Sequence, residues 1–290
     1  MNKHCTDLFG HDLTPQIDRL RAAIDDADAI LIGAGAGLST AAGFRYDGPD
    51  FERDFADFHE RFGIEDMYSG GFYPFPDLET YWAWWSRMIL INRYDAPAGQ
   101  PYLDLLDLVR GRDYFVLTTN VDHQFQKAGF DRGRLFYTQG DYGLFQCSGP
   151  CHARTYDNET AVREMAASQR DLRVPEELVP HCPVCGRPMM PNLRADASFV
   201  EDEGWHRACE RYQGFVARHG RSRVLLIELG VGGNTPGIIK YPFWHMTADN
   251  PQATYACLNL GEAGAPAEIA GRSIVVNADV ADVLGALVRR

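Results

Sequence analysis

The stretch Ala29-Ile-Leu-Ile-Gly-Ala-Gly-Ala-Gly37 decides how the rest of the chain is read. A short continuous apolar run, Ala29 to Ile32, stops at alternating glycines. Such a run suits a strand buried on both faces, as in a parallel sheet. Helix-compatible residues follow, Leu38-Ser-Thr-Ala-Ala42. Glycine lets a backbone approach a pyrophosphate closely, and the helix N-terminus behind it offers free N–H groups. The strict Gly-x-Gly-x-x-Gly pattern is not met, because neither Leu38 nor Thr40 is glycine. A tight strand-to-helix turn without ligand therefore stays open as the alternative.

Similar apolar runs recur at Tyr114–Leu117, Leu135–Tyr137, Val224–Leu229, Thr254–Leu258 and Ile274–Val276. Helical spacing of apolar residues separates several of them, at Leu103–Arg110 and Trp205–Arg218, and Thr14–Ala27 precedes the first, with Pro15 suited to an opening turn. About six strands alternating with helices imply an α/β fold, a Rossmann-like parallel sheet with helices on both faces. Two segments break the alternation. Residues 45–100 are rich in aromatics around Tyr81-Trp-Ala-Trp-Trp85. The aromatics suit the packed core of a small helical module or the lining of a channel. Residues 144–195 carry two cysteine pairs around a polar helical stretch, Asn158–Arg170. The expected organisation is a discontinuous nucleotide-binding domain from residues 1–44, 101–143 and 196–290. The two insertions together form a small domain.

The 290 residues carry a net charge of -12, with 45% hydrophobic and 23% charged residues. That balance is ordinary for a soluble globular chain and argues against a general binder of nucleic acid or anionic membrane. The N-terminal residues lack the apolar core of a targeting signal, and no stretch approaches a membrane span, so a cytoplasmic location is expected. Seven cysteines include Cys147-x3-Cys151 and Cys182-x2-Cys185. Two tight pairs of thiolates satisfy the tetrahedral preference of zinc and close its shell, which implies one structural zinc per chain. Cys5, Cys209 and Cys257 read as ordinary thiols, Cys257 in the core.

Open parallel sheets bind ligands beyond the carboxyl ends of their strands. Thr118-Thr-Asn-Val-Asp122 leaves such an end. Asn120 and Asp122 suit either a helix cap or a ligand crevice.

Taken in order, these motifs resemble the sirtuin family over roughly residues 28 to 285. Gly35-Ala-Gly37, Ser39 and Ala42-Gly43 match the family's first motif; Thr118, Asn120, Asp122 and Ala128-Gly129 match its second. The family's Phe-Arg corresponds either to Phe44-Arg45 or to the displaced Pro49-Asp50-Phe51 with Arg53. The resemblance implies NAD as co-substrate, held by Gly35, Ala36, Gly37, Ser39, Arg45, Asn120, Asp122 and Gln139. Gly230 and Gly232, Asn259 and Asp279 would serve its adenosine half. Asn120, Asp122 and Gln139 would be the catalytic set. The chain departs from the family at Gln139, where most sirtuins have a histidine. Imidazole can take a proton near neutral pH; an amide cannot, although it still donates and accepts hydrogen bonds. The Tyr137–Cys147 stretch is similar to the macrodomain-linked microbial sirtuins. That resemblance implies protein mono-ADP-ribosylation of a lipoylated, glycine-cleavage-H-like carrier protein, with a macrodomain hydrolase as functional partner. A weak deacylase using another base such as His123, or a silent NAD or ADP-ribose sensor, remains as an alternative.

Overall fold

The computed structural model describes residues 10–233 and 236–289. Cys5 and the rest of the N-terminal segment, where a targeting signal would stand, lie outside them. The described residues contain nine strands: β1 (Ala29–Ala34), β2 (Tyr114–Thr118), β3 (Leu135–Tyr137), β4 (Gly140–Cys147), β5 (Tyr156–Asp157), β6 (Met189–Leu193), β7 (Val224–Leu229), β8 (Thr254–Leu258) and β9 (Ser273–Val276). Six form one sheet in the order β3-β2-β1-β7-β8-β9, every neighbour parallel. The expected α/β fold with a parallel six-stranded sheet is therefore present.

The reason lies in the strand composition. Every residue of β1, β2 and β7 is buried, and side chains alternate between the two faces. Ile30, Ile32, Val116 and Ile227 join one core beneath Leu20, Leu105 and Leu284 of the helices Thr14–Asp26, Gln100–Val109 and Val280–Val288. Leu31, Phe115, Leu117 and Leu226 face the other way, against Phe215 and Phe243 of the helices Glu203–His219 and Lys240–Asp249. One charged residue breaks the apolar run of β7. Glu228 is wholly buried and is satisfied by Lys240 Nζ and the Tyr255 hydroxyl, each at 2.5 Å.

The remaining strands form a three-stranded antiparallel sheet, β5-β4-β6. Helices Gly48–Phe62, Leu78–Ile89 and Glu159–Ser168 pack with it around a third core of Phe55, Phe58, Trp82, Trp84, Phe145 and Met165. The Trp84 ring lies 4.4 Å from Phe55 and 5.1 Å from Phe58, centroid to centroid. Most of the aromatic cluster is thus core, and only its edge turns toward a cavity. None of the described helices is long and apolar enough to cross a membrane.

Candidate active site

Because β1 lies between β2 and β7, chain progression reverses beside it, which opens a crevice at the carboxyl ends of the strands. Here the turn after β1 meets the turn after β7. The N–H of Gly37 donates to Gly230 O at 2.9 Å, and that of Gly35 to Leu229 O at 3.0 Å. A Cβ on Gly37 would stand 2.7 Å from the Gly230 Cα, and Gly230 itself has φ +58. The glycines are therefore required by contact between two backbones. Their amide hydrogens are already used, which leaves Ala36 as the residue of the turn whose N–H makes no bond to another segment.

Two cavities open on this crevice. The polar one, about 760 Å³, is lined by Ala36, Ser39, Arg45, Asn92, Asn120 and Asp122 among others. The apolar one, about 360 Å³, reaches from Gly35, Asn120 and Gln139 past Trp85, Met88, Met190 and Leu193. Tyr68 and Phe72 line it as well, and both are largely exposed. Ala36, Tyr46, Tyr68, Thr119, Asn120, Val121 and Tyr142 line both cavities. No histidine lines either one among the described residues.

The polar groups are ordered by one another. Asn120 Nδ2 donates to Gly35 O at 3.0 Å and lies 3.1 Å from both Ser39 Oγ and the Tyr102 hydroxyl. Ser39 Oγ donates to Asp122 Oδ2 and lies 2.7 Å from the Tyr102 hydroxyl. Asp122 Oδ1 accepts the N–H of Gln124 at 3.1 Å. Burial raises the Asp122 pKa, opposed by the bonds from Ser39 and Gln124 and aided by the nearby Asp141 charge. The hydroxyls of Tyr46 and Tyr142 bond each other at 2.8 Å where the cavities meet. Burial pushes Tyr46 up to about 12 and Tyr142 well above its ordinary value, so both serve as hydroxyls and neither as a base near neutral pH.

Several expected residues stand elsewhere. Gly37 and Gly230 line neither cavity because they pack on each other; Gly232 lines the apolar one. Asn259 donates to Val231 O at 3.0 Å and so holds the loop above β7. Asp279 caps the helix Val280–Val288 through the Ala281 N–H at 2.8 Å. Of the two candidate arginines, Arg45 lines the polar cavity, whereas Arg53 is ion-paired with Asp50 and Asp54 on an exposed helix face. His123 lines neither cavity. Its Nδ1 is bonded to Asp141 Oδ2 at 2.5 Å, and Asp141 Oδ1 accepts Arg93 Nε at 2.8 Å. Burial works against ionisation of Asp141, yet His123 and Arg93 hold its carboxyl below the usual carboxylate range. Tyr102 belongs to this network although nothing in the sequence singles it out. It lies in an amphipathic helix, and no motif marked it.

Away from the crevice, the sulfurs of Cys147, Cys151, Cys182 and Cys185 all lie within 4.8 Å of one another. Cys147 and Cys185 are 3.5 Å apart, Cys151 and Cys182 3.7 Å. Tetrahedral zinc with Zn–S of about 2.3 Å separates its sulfurs by roughly 3.8 Å, so the cluster is compatible with that ion. Gly186, with φ +73, turns the second pair, and its N–H donates to Cys182 O at 2.9 Å. His152 Nε2 stands 3.5 Å from Cys182 Sγ, and Tyr156 OH is a further neighbour at 3.2 Å.

The sheet order and the crevice with its two cavities place the chain in the sirtuin class of folds. Solved structures agree: a Sir2 enzyme bound to a propionylated peptide aligns with TM-score 0.57 at 19% identity, covering 94% of this chain and 97% of that one. A Sir2 homologue in complex with ADP-ribose aligns with TM-score 0.57 at 16% identity, over 94% and 95%. A protein ADP-ribosyltransferase of Staphylococcus aureus (strain Mu50) is 41% identical over 283 residues, 97% of this chain and 90% of its own length. The chain belongs to this family of protein ADP-ribosyltransferases. A probable bifunctional ADP-ribose hydrolase/ADP-ribosyltransferase of Fusarium oxysporum f. sp. cubense is 32% identical over 255 residues, 82% of this chain but 42% of that protein. No family model matches the chain.

Proposed function

We propose that the protein is an NAD-dependent protein mono-ADP-ribosyltransferase. The observation that carries this reading is the junction of a polar and an apolar cavity at Asn120, with an amide, Gln139, and no imidazole among the described lining residues. NAD lies across the strand ends with its pyrophosphate at the turn after β1, against the Ala36 N–H, and its nicotinamide ribose near Asn120 and Asp122. The bond between nicotinamide and the anomeric carbon breaks, the acceptor side chain bonds to that carbon, and the acceptor's proton is released. Gln139, whose side chain makes no hydrogen bond to another described residue, orients the ribose hydroxyls or the acceptor. Arg45 supplies positive charge on the polar side. The four-cysteine cluster holds one structural zinc that takes no part in the chemistry.

The acceptor is a lipoylated carrier protein resembling glycine-cleavage H. The narrow apolar cavity with methionines and Trp85 along its wall suits a long apolar arm, and the exposed Tyr68 and Phe72 suit the protein that carries it. An ADP-ribose hydrolase is the functional partner that reverses the mark; the bifunctional relative combines both activities in its name. The decisive assay gives the protein labelled NAD with lipoylated carrier and, separately, acyl-lysine peptides. Label on the carrier with little acyl removal is the expected result, since a missing general base costs deacylation about 10²–10⁴-fold. Efficient acyl removal with no labelled protein overturns the reading. Gln139→Ala should lower transfer about tenfold, through one lost orienting hydrogen bond.

The deacylase alternative that uses His123 finds no support, because that ring sits outside both cavities. Transfer should also depend on pH in a defined sense. Asp122 is needed as a carboxylate, and burial raises its pKa. The rate should fall on acidification at a pH above the range of an ordinary aspartate. Ser39→Ala removes a bond that favours the charged form, so the acid limb should move to higher pH. A pH–rate profile that is the same in both proteins speaks against this role.

A further inference from the structure

The hydrogen-bond chain around Asn120 has a direction that its endpoints impose. Gly35 O can only accept, so the Asn120 atom 3.0 Å away is Nδ2 and not Oδ1. At the other end, an ionised Asp122 can only accept. It takes the Ser39 hydroxyl proton on Oδ2 and the Gln124 N–H on Oδ1. With its one proton committed, Ser39 Oγ must accept from the Tyr102 hydroxyl at 2.7 Å. With that proton committed in turn, the Tyr102 oxygen can only accept, and its donor 3.1 Å away is Asn120 Nδ2, whose second hydrogen it shares with Ser39 Oγ at the same distance. The order is therefore Asn120 to Tyr102 to Ser39 to Asp122.

Both amide hydrogens of Asn120 are then taken. Its Oδ1 receives no donor from the described residues, and Asn120 lines both cavities. Tyr102 is wholly buried, on the helix Gln100–Val109, and its ring packs edge-on against Phe125 at 4.9 Å. It lines neither cavity. We infer that Tyr102 is a positioning residue: its hydroxyl links Ser39 to the Asn120 carboxamide and locks that amide so that Oδ1 faces the ligand. Without the Tyr102 oxygen, Nδ2 keeps only Ser39 Oγ as a partner for its second hydrogen, and Ser39 Oγ, without its Tyr102 donor, is itself less firmly held. Rotation or reversal of the amide then becomes easier, and a donor replaces an acceptor at the reacting sugar.

The inference rests on the reading of the crevice as an NAD site. Tyr102→Phe keeps the ring and its packing and removes only the hydroxyl. Nicotinamide release from NAD in the presence of the partner protein should show kcat lowered about three- to tenfold, the worth of one hydrogen bond, with a smaller rise in KM for NAD. The deciding comparison is a double-mutant cycle. Adding Tyr102→Phe to Asn120→Ala should cost no further activity, because the residue through which it acts is already gone. Losses that multiply, or a KM rise with kcat unchanged, overturn the positioning role. Calorimetric binding of ADP-ribose to the same four proteins gives an independent cycle that needs no turnover. Non-additive affinities there support the inference, and additive ones sink it. A wild-type protein that binds ADP-ribose but releases no nicotinamide refutes the transferase reading and leaves the binding cycle to judge Tyr102.

Discussion

Replacing Asn120 by alanine should leave a folded protein whose kcat for nicotinamide release is about 100-fold lower. Misplacement of a reacting group by about 1 Å is enough for a loss of that size. Asn120 is the polar residue common to both cavities that also reaches the turn after β1, through Gly35 O. On the proposed reading of the crevice as an NAD site, its Oδ1 is the acceptor that remains for a ribose hydroxyl or for positive charge developing at the anomeric carbon. The fold should survive, because Asn120 is only partly buried and lies beyond the end of β2. The Ser39–Asp122 and Ser39–Tyr102 bonds also persist without it. Circular dichroism and thermal melting check the fold; steady-state kinetics with NAD and carrier check the rate. A variant within threefold of the parent removes Asn120 from the chemistry.

The second large effect is on stability. Cys182→Ser should reduce bound zinc to below about a tenth of an equivalent, because a structural site holds its ion with roughly 10–16 kcal/mol when complete. Cys147 and Cys182 are buried in the same core as Trp82, Phe145, Val162 and Met189. Losing the ion therefore leaves the ends of β4 and β6 unanchored. A destabilisation of about 4 kcal/mol, roughly 7 °C in Tm for a chain of this length, is expected. The damage should be uneven. Met190, Pro191 and Leu193 of β6 line the apolar cavity, whereas the polar cavity draws none of its described lining from the cysteine-bearing strands' zinc end. Mild chelation should accordingly impair use of the carrier protein before it impairs binding of ADP-ribose. Elemental analysis finding no zinc in protein purified without chelator, with Cys182→Ser as stable as the parent, rejects the metal.

The parallel sheet was legible because burial on both faces demands uninterrupted apolar runs, and all six runs matched strands, none departing by more than two residues at an end. The antiparallel sheet was not. Its β5 has two residues, and β6 reads Met-Met-Pro-Asn-Leu, with Pro191 arguing against a strand. Long-range pairing to β4, at Gly140↔Leu193, holds it in place.

For the site, local chemistry marked the cysteine pairs and the polar strand ends, since ligand spacing and strand termini are properties of neighbouring residues. Tyr102, Tyr46 and Tyr142 carry no such mark. Their hydroxyls matter because helices and loops far apart in the chain bring them within 3 Å of a partner. The choice between Arg45 and Arg53 was of the same kind. Both sit near a Phe in a plausible motif, and only the packing of the helix Gly48–Phe62 turned Arg53 to its own acidic neighbours and left Arg45 at the cavity. The alternating glycines, too, are visible in sequence as a turn. That two of them are needed where one turn rests on the backbone of another, Gly37 against Gly230, was decided by the tertiary structure, because the clash a Cβ would make is with a residue almost two hundred positions away.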